Sequence, residues 1–231
     1  MLATYLKGAS GFGGSTDLIV EYVSSYFLPN FTGASFFQTV DTGTTTYSGY
    51  TRYVLTVFGN LNSTGSTNWS GNTPTLGGSN LTVLANLLSG TSFSFGYTWS
   101  ILQTDSTGSA AYAHTLNANS AGAGIFVFNV FAQNGTPTLH DTDVDAGTNG
   151  AIALSVPSAP NVLLMAAIPQ NDSVSLGGTA GLTDSDKAAS GDINSGEIAT
   201  VAFKENVSSG GVTTSGGSTY SVTTGIMLNL S

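Results

Sequence analysis

The sequence predicts an all-β fold: an antiparallel β-sandwich or barrel with an extended N-terminal arm. Short apolar and β-branched runs alternate along the whole chain with clusters of Gly, Ser, Thr and Asn, which form turns. Several runs alternate strictly between apolar and polar residues, which is the period of a strand with one buried face. No long segment has convincing helical periodicity, and only residues 17–27 are ambiguous between helix and strand.

The predicted strands are short and closely spaced. In chain order they cover residues 17–27, 35–40, 52–58, 81–88, 92–102, 111–116, 124–133, 151–156, 161–168, 198–203 and 219–230. Within the third of these strands, Tyr53, Leu55 and Val57 share one face. The aromatic residues of the fifth strand alternate with small or polar residues, which places Trp99 in the core.

Two segments, residues 124–131 and 162–168, are apolar on both faces and are therefore predicted to be central strands. Residues 60–78 and 170–196 are dominated by turn-forming residues and are predicted to be long loops. We expect residues 1–34 to form an N-terminal arm or an exchanged strand, and residues 35–231 to form the sandwich domain.

The composition points to an unusual surface. Gly, Ser, Thr and Asn supply 109 of the 231 residues, and charged residues only 7%, whereas about 25% is typical of soluble domains. Hydrophobic residues make up 40%, so the chain is not disordered. Hydroxyl and amide side chains lose less rotamer entropy on burial than Lys, Glu or Arg. The composition therefore favours a protein that packs against copies of itself.

Charge and residue counts exclude several classes of function. The net charge is −9 with four basic residues, so we expect neither nucleic acid nor an acidic membrane surface as a partner. The absence of cysteine excludes disulfides and thiolate metal sites. No apolar run approaches membrane-spanning length, and the first residues lack the pattern of a secretory signal peptide.

No catalytic constellation is evident. The two histidines, His114 and His140, have no neighbouring nucleophile motif, and His114 lies in a predicted strand. The chain has three glutamates and a single arginine, Arg52, which disfavours a glycosidase. We therefore expect a protein that is not an enzyme, with no catalytic residue and no organic cofactor.

The sharpest local pattern predicts a calcium ion as the one candidate cofactor. Asp141, Asp143 and Asp145 alternate as the oxygen ligands of calcium loops do. The pattern departs from an EF-hand because Gly147 comes one place late and Ile152 stands where the bidentate glutamate belongs. Because the bidentate acid is missing, the sequence favours a solvated acidic loop that joins two strands over a calcium site.

Two other features suggest surface chemistry. The chain has eight Asn-x-Ser/Thr sequons, a mild excess for a sequence so rich in these residues. The candidate glycosylation sites are Asn30, Asn62, Asn68, Asn80, Asn134, Asn171, Asn206 and Asn229. Trp69 lies in a polar segment, where an aromatic residue can stack on a ligand or anchor an interface.

The second half of the chain, about residues 110–231, carries a series of segments that resembles a known kind of domain. An apolar strand (121–132) is followed by an acidic, Gly-rich turn (141–150), and a strand, a Pro-containing turn and a long apolar strand follow (151–167). The closing strand covers residues 220–230. The series resembles the jelly-roll-like sandwich domains of tailed-phage virion proteins and bacterial surface proteins. The resemblance implies cement, fibre or surface-layer modules that share no catalytic residues.

We therefore expect a non-enzymatic structural protein that self-assembles on a virion surface or outside the cell, as a capsid decoration protein of a tailed phage or a related surface protein. Its partners would be copies of itself and neighbouring structural proteins. One alternative is a filament subunit that donates its N-terminal strand. The residues of that assembly strand would be Leu18, Ile19, Val20, Tyr22 and Val23. The other alternative is a carbohydrate-binding module that uses Trp69.

Overall fold

A computed structural model of the chain describes residues 17–62, 73–89, 94–146, 149–169, 174–194, 196–215 and 221–231. These residues form fifteen strands and one short 3-10 turn, Asp184–Asp186. The strands are β1 (Leu18–Asp41), β2 (Thr51–Asn62), β3 (Thr75–Leu76), β4 (Ser79–Asn80), β5 (Thr82–Ser89), β6 (Ser94–Gln103), β7 (Ser109–Ala132), β8 (Pro137–Ala146), β9 (Ala151–Leu154), β10 (Asn161–Pro169), β11 (Ser175–Gly177), β12 (Lys187–Asn194), β13 (Glu197–Glu205), β14 (Gly210–Ser215) and β15 (Ser221–Leu230). No helix in this part of the chain is long and apolar enough to cross a membrane.

The strands form three antiparallel sheets. The first sheet has the order β4-β3-β7-β2-β6-β5, with β1 paired to β7, and the second sheet has the order β12-β13-β10-β15-β8. The third sheet has the order β11-β14-β9. The predicted fold class, an all-β, jelly-roll-like antiparallel sandwich, is confirmed.

The second sheet lies between the first and the third sheets, and its side chains face them alternately. On β10, Val162 and Leu164 contribute to the core between the first and second sheets. Leu163 and Met165 point the other way, into the core between the second and third sheets. Both faces of β10 are therefore buried, as its continuous apolar sequence predicts.

The paired strands β1 and β7 are each 24 residues long and form a ribbon that folds over its own sheet. Their register shifts between Pro29 and Ser35, and a break of this kind bends a strand. Beyond the bend, Phe36 packs on Phe58 of β2, with ring centroids 4.9 Å apart. Tyr112 stacks on the same ring at 6.1 Å. A third apolar cluster thus fills the space between the ribbon and the outer face of the first sheet.

The opposite side of this ribbon is sealed by β12. A Cβ atom placed on Gly122 would lie 1.9 Å from the carbonyl oxygen of Ile193. A Cβ atom on Gly191 would lie 2.2 Å from the ring of Phe27. Only glycine permits this close approach of the two sheets.

Several predicted boundaries were wrong. The strands predicted at 17–27 and 35–40 are both parts of β1, and those at 111–116 and 124–133 are both parts of β7. The boundary predicted between residues 34 and 35 therefore falls inside one strand. The segment predicted as a loop at 170–196 contains β11 and β12. Residues 1–16, where the predicted arm begins, lie outside the described residues.

Candidate assembly surface

A strand at the edge of a sheet has backbone N–H and C=O groups that are free to pair with another chain. How each edge is closed therefore determines where a second molecule can bind. The edges of this protein are formed by β1, β4 and β5 in the first sheet, β8 and β12 in the second, and β9 and β11 in the third.

The edges of β8 and β9 close on each other through aspartate side chains. Asp141, Asp143 and Asp145 lie on one side of β8, and each carboxylate bridges two backbone N–H groups. One oxygen accepts from the next residue of β8, namely Thr142 at 2.9 Å, Val144 at 2.8 Å and Ala146 at 2.8 Å. The other oxygen accepts from the β9 side, namely Ser155 at 2.6 Å, Ala153 at 2.8 Å and Ala151 at 2.7 Å. We call these contacts the aspartate bridges.

The aspartate bridges lie where the sequence predicted an acidic loop. The three residues lie on a strand, so their interpretation as a solvated acidic loop was wrong. Hydrogen bonds from the backbone N–H and side-chain hydroxyl of Ser155 hold the pKa of Asp141 below its usual value. Within the described ranges no group of three or more His, Asp or Glu side chains is placed to hold a metal ion. Calcium binding stays a prediction.

The first half of β1 contains the predicted assembly strand, which completes the sheet of its own chain. Leu18 and Val20 are buried in the main core, and their register partners on β7 are Ala132 and Val130. The N–H of Val20 donates to Glu205 Oε1 at 3.0 Å. The other residues predicted for this strand, Ile19, Tyr22 and Val23, are half-buried. This half of β1 is thus held within the molecule, and its exchange between subunits stays a prediction.

The second half of β1 is open. Phe36 and Val40 point into the third cluster, whereas Phe37 on the opposite face is 66% exposed. Ala111 and Ala113 of β7 lie across from Thr39 and Phe37 on this outer face. The side chain of Phe37 therefore projects from a surface of small residues.

The edge of β5 lies on the far side of the first sheet. Val83, which is 37% exposed, precedes a register shift in the pairing with β6. A groove of about 370 Å³ separates β5 from β8 and is lined in part by Tyr53, Leu84 and Leu139. The irregular edge and the groove distinguish this side from residues 35–41 of β1, whose register with β7 is continuous.

The basic side chains of the described residues are bound to the protein's own backbone. Arg52 is buried, and its guanidinium donates to the carbonyls of Thr42, Thr104 and Ser106. Burial lowers the pKa of Arg52. Lys187 donates to the carbonyl of Val174 and forms an ion pair with Asp184 at 3.1 Å. Lys204 donates to the carbonyl of Gly181.

Most carboxylates of the described residues likewise accept hydrogen bonds from groups of the same chain. Besides the aspartate bridges, the pairs are Asp17 with the hydroxyl of Tyr50, Glu21 with the hydroxyl of Tyr47, Asp41 with the N–H of Gly43, Asp186 with Thr183, and Asp192 with the N–H of Asn194. The hydrogen bond to Glu21 is the main reason why the pKa of Tyr47 is raised to about 12. The few ionic groups thus stabilise loops and edges of the same molecule.

The two histidines differ in burial, and only one of the two tryptophans lies within the described residues. His114 on β7 is buried, 3.4 Å from the hydroxyl of Tyr112, and burial lowers its pKa to about 4. Its imidazole is therefore neutral at pH 7. His140 is exposed on β8. Trp99 is fully buried in the main core, as predicted, whereas Trp69 lies outside the described residues.

The predicted glycosylation sites are scattered over the structure. Asn80, Asn134 and Asn206 are exposed, and the last two have positive φ angles of 57° and 51°. Asn229 is half-buried on β15 and accepts a hydrogen bond from Thr138 at 2.9 Å. The remaining sites are Asn30 in β1, Asn62 in β2, and Asn68 and Asn171 outside the described residues. Glycosylation stays a prediction at every site.

Comparison with known proteins adds little to this geometry. No family model matches the chain, and no curated protein matches it. Among solved structures, the chain has a distant similarity to VP54 of PBCV-1, whose crystal structure was fitted into a cryo-EM reconstruction of the virophage Sputnik. The similarity covers 95% of each chain at 8% identity with a TM-score of 0.26. A score this low supports no argument about function.

Proposed function

We propose that this protein is a non-enzymatic structural subunit that self-assembles on the surface of a virus particle, in the role of a capsid decoration protein or a related surface protein of a tailed phage. The observation that carries the proposal is the internal use of its charges. Arg52, Lys187 and Lys204 all donate to carbonyls of their own chain. Because charged residues make up only 7% of the chain, hydroxyl, amide and glycine groups cover much of the exterior.

Such an exterior lowers two costs of association. Ser, Thr and Asn side chains lose less rotamer entropy on burial than long charged ones. Few ions need to be stripped of water when the surface is covered. Many modest contacts, repeated by symmetry, then add up to a stable lattice. Neighbouring structural proteins of the particle would bind to the same kind of weakly charged surface.

The same geometry disfavours catalysis. The imidazole of His114 is enclosed between Tyr112 and Phe58, where no substrate can reach it. The carboxylates of Asp141, Asp143 and Asp145 already accept backbone N–H groups. We therefore propose a protein without enzymatic activity.

The filament subunit is a second candidate, favoured by the position of β1 at a sheet edge. Donation would replace the first half of β1 by the same strand of a neighbour. Electron microscopy separates the two candidates, since a filament subunit gives rods and a decoration protein gives compact oligomers or decorated particles. The carbohydrate-binding candidate depends on Trp69, and a glycan array that retains no sugar would reject it.

Sedimentation velocity of the purified full chain, over a wide concentration range, tests the proposal. We expect assembly that increases with concentration. Because the net charge of −9 repels copies from one another, added salt should screen that repulsion and strengthen assembly. A chain that stays monomeric at every concentration and salt level contradicts the proposed function.

A further inference from the structure

The open half of β1 has a defined hydrogen-bonding direction. The N–H of Thr42 donates to the carbonyl of Gly108 at 2.8 Å, and the register between 35 and 41 is continuous with that pair. In an antiparallel ladder, every second residue bonds to a given neighbour. The even-numbered residues therefore bond to β7, and the N–H and C=O groups of Ser35, Phe37 and Thr39 point away from it.

No described strand pairs with this edge. Natural edges are commonly protected by lysine, proline, bulges or short length. The other edges of the molecule show such features: the aspartate bridges on β8, the register shift in β5, and the lengths of two and three residues of β4 and β11. Residues 35–40 have none of them, whereas the carbonyl of Asp41 accepts a hydrogen bond from the hydroxyl of Ser24 at 2.7 Å. The amide nitrogen of the half-buried Gln38 donates to the carbonyl of Thr39 at 3.0 Å, and a partner strand would have to replace this local hydrogen bond.

We propose that two copies of this chain pair antiparallel along the open edge of β1, about a two-fold axis that passes beside Phe37. The proposal rests on the proposed function of self-assembly and names its interface. Antiparallel pairing of one strand with its own copy is isologous, so a single edge suffices on each molecule. The first sheets of the two copies would then be continuous.

The outward direction of the odd-numbered residues requires that odd-numbered residues face each other. Among these registers we choose the one centred on the exposed Phe37, which brings the two aromatic side chains together. Phe37 would lie opposite the partner's Phe37 as a hydrogen-bonded pair, and Ser35 opposite the partner's Thr39. The one ionisable side chain of this segment, Asp41, would lie opposite the partner's Gly33. No like charges are therefore opposed across the axis, although each copy is strongly acidic. This self-complementarity favours a second copy over a different partner.

A single cysteine tests the register, because the chain has no cysteine of its own. Hydrogen-bonded antiparallel pairs have Cα atoms about 5.5 Å apart, which suits a disulfide. We expect F37C to form a covalent dimer on mild oxidation, and an equal mixture of S35C and T39C to form the mixed dimer. V83C, at the other exposed large hydrophobic side chain of the described residues, is the matched control and should stay mostly uncrosslinked.

A charge substitution tests the interface without covalent trapping. F37K places two lysines opposite each other and should weaken dimerisation at least tenfold in sedimentation equilibrium, whereas V83K should leave it unchanged. Both side chains are exposed, and circular dichroism of each variant checks the fold. If the native chain assembles but F37C and V83C crosslink equally, or F37K assembles normally, strand pairing is wrong and self-assembly stands. A chain that is monomeric throughout rejects both proposals.

Discussion

Asp143 accepts a hydrogen bond of 2.8 Å from the backbone N–H of Ala153, across the junction between the second and third sheets. Its other oxygen accepts from the N–H of Val144 on its own strand, also at 2.8 Å. A side chain thus takes the place of the backbone carbonyl that a continuous ladder would supply. Asp141 and Asp145 repeat the arrangement on either side, so the two edges are fastened together and neither is open to another chain.

The substitution D143N tests the aspartate bridges. An amide can place its oxygen toward one N–H group only, and its NH2 group would then face the other donor. We expect the free energy of unfolding in urea to fall by about 1–3 kcal/mol. D105N is the control for the loss of one negative charge, since the exposed Asp105 acts electrostatically on Arg52 and belongs to none of the aspartate bridges. Equal effects of the two variants would show that charge alone matters.

Calcium should not stabilise the protein through these residues. Each of the three carboxylates already accepts two N–H groups, and a calcium ion would have to displace them. We expect the melting temperature to be the same in millimolar calcium and in chelator. A higher melting temperature in calcium that D143N abolishes would instead support the ion site predicted from the sequence.

Two adjacent phenylalanines should respond in opposite ways to truncation. Phe36 is buried against Phe58 and Tyr112, so F36A should cost about 3–5 kcal/mol of stability. Phe37 is 66% exposed, so F37A should change the stability of the isolated chain by less than about 0.5 kcal/mol. Urea denaturation at low protein concentration measures both. Similar losses would mean that the two faces of β1 are assigned incorrectly.

Mild acid should weaken the fold through His114. Burial lowers the pKa of His114 from 6.5 to about 4, so between these values the unfolded chain binds the proton that the folded chain does not. The stability is therefore complete above about pH 6.5 and falls as the pH decreases toward 4. H114Q should flatten this part of the profile, measured as the free energy of unfolding against pH. An unchanged profile would assign the acid sensitivity to the carboxylates.

The strands that could be predicted from the sequence are those with continuous or regularly alternating apolar residues. β10 and the second half of β7 were expected as central strands because both faces are apolar, and the structure buries both faces. β8 was missed because its aspartates alternate with Thr and Val, a pattern also typical of a calcium loop. β8 is a strand because it pairs with β15 and is bridged to β9. The local sequence of β8 reveals neither contact.

The candidate interface was harder to predict than the core. The sequence placed Phe36 and Phe37 in one strand, but alternation alone does not tell which ring faces the interior. That choice is made by Phe58 and Tyr112, which come from distant parts of the chain. The apolar sequence of the first half of β1 suggested a donated strand only in the filament alternative. The bend that opens its second half depends on the register with β7.

The three sheets differ in how they share strands, and this difference has a dynamic consequence. The bent ribbon belongs to the first sheet through β1 and β7, so it cannot open while that sheet stays intact. The third sheet shares no strand with the others in the described residues and is joined to the second by side chains and apolar packing. Amide protons of β9 and β14 should therefore exchange with solvent through partial opening, well before those of β7 and β10.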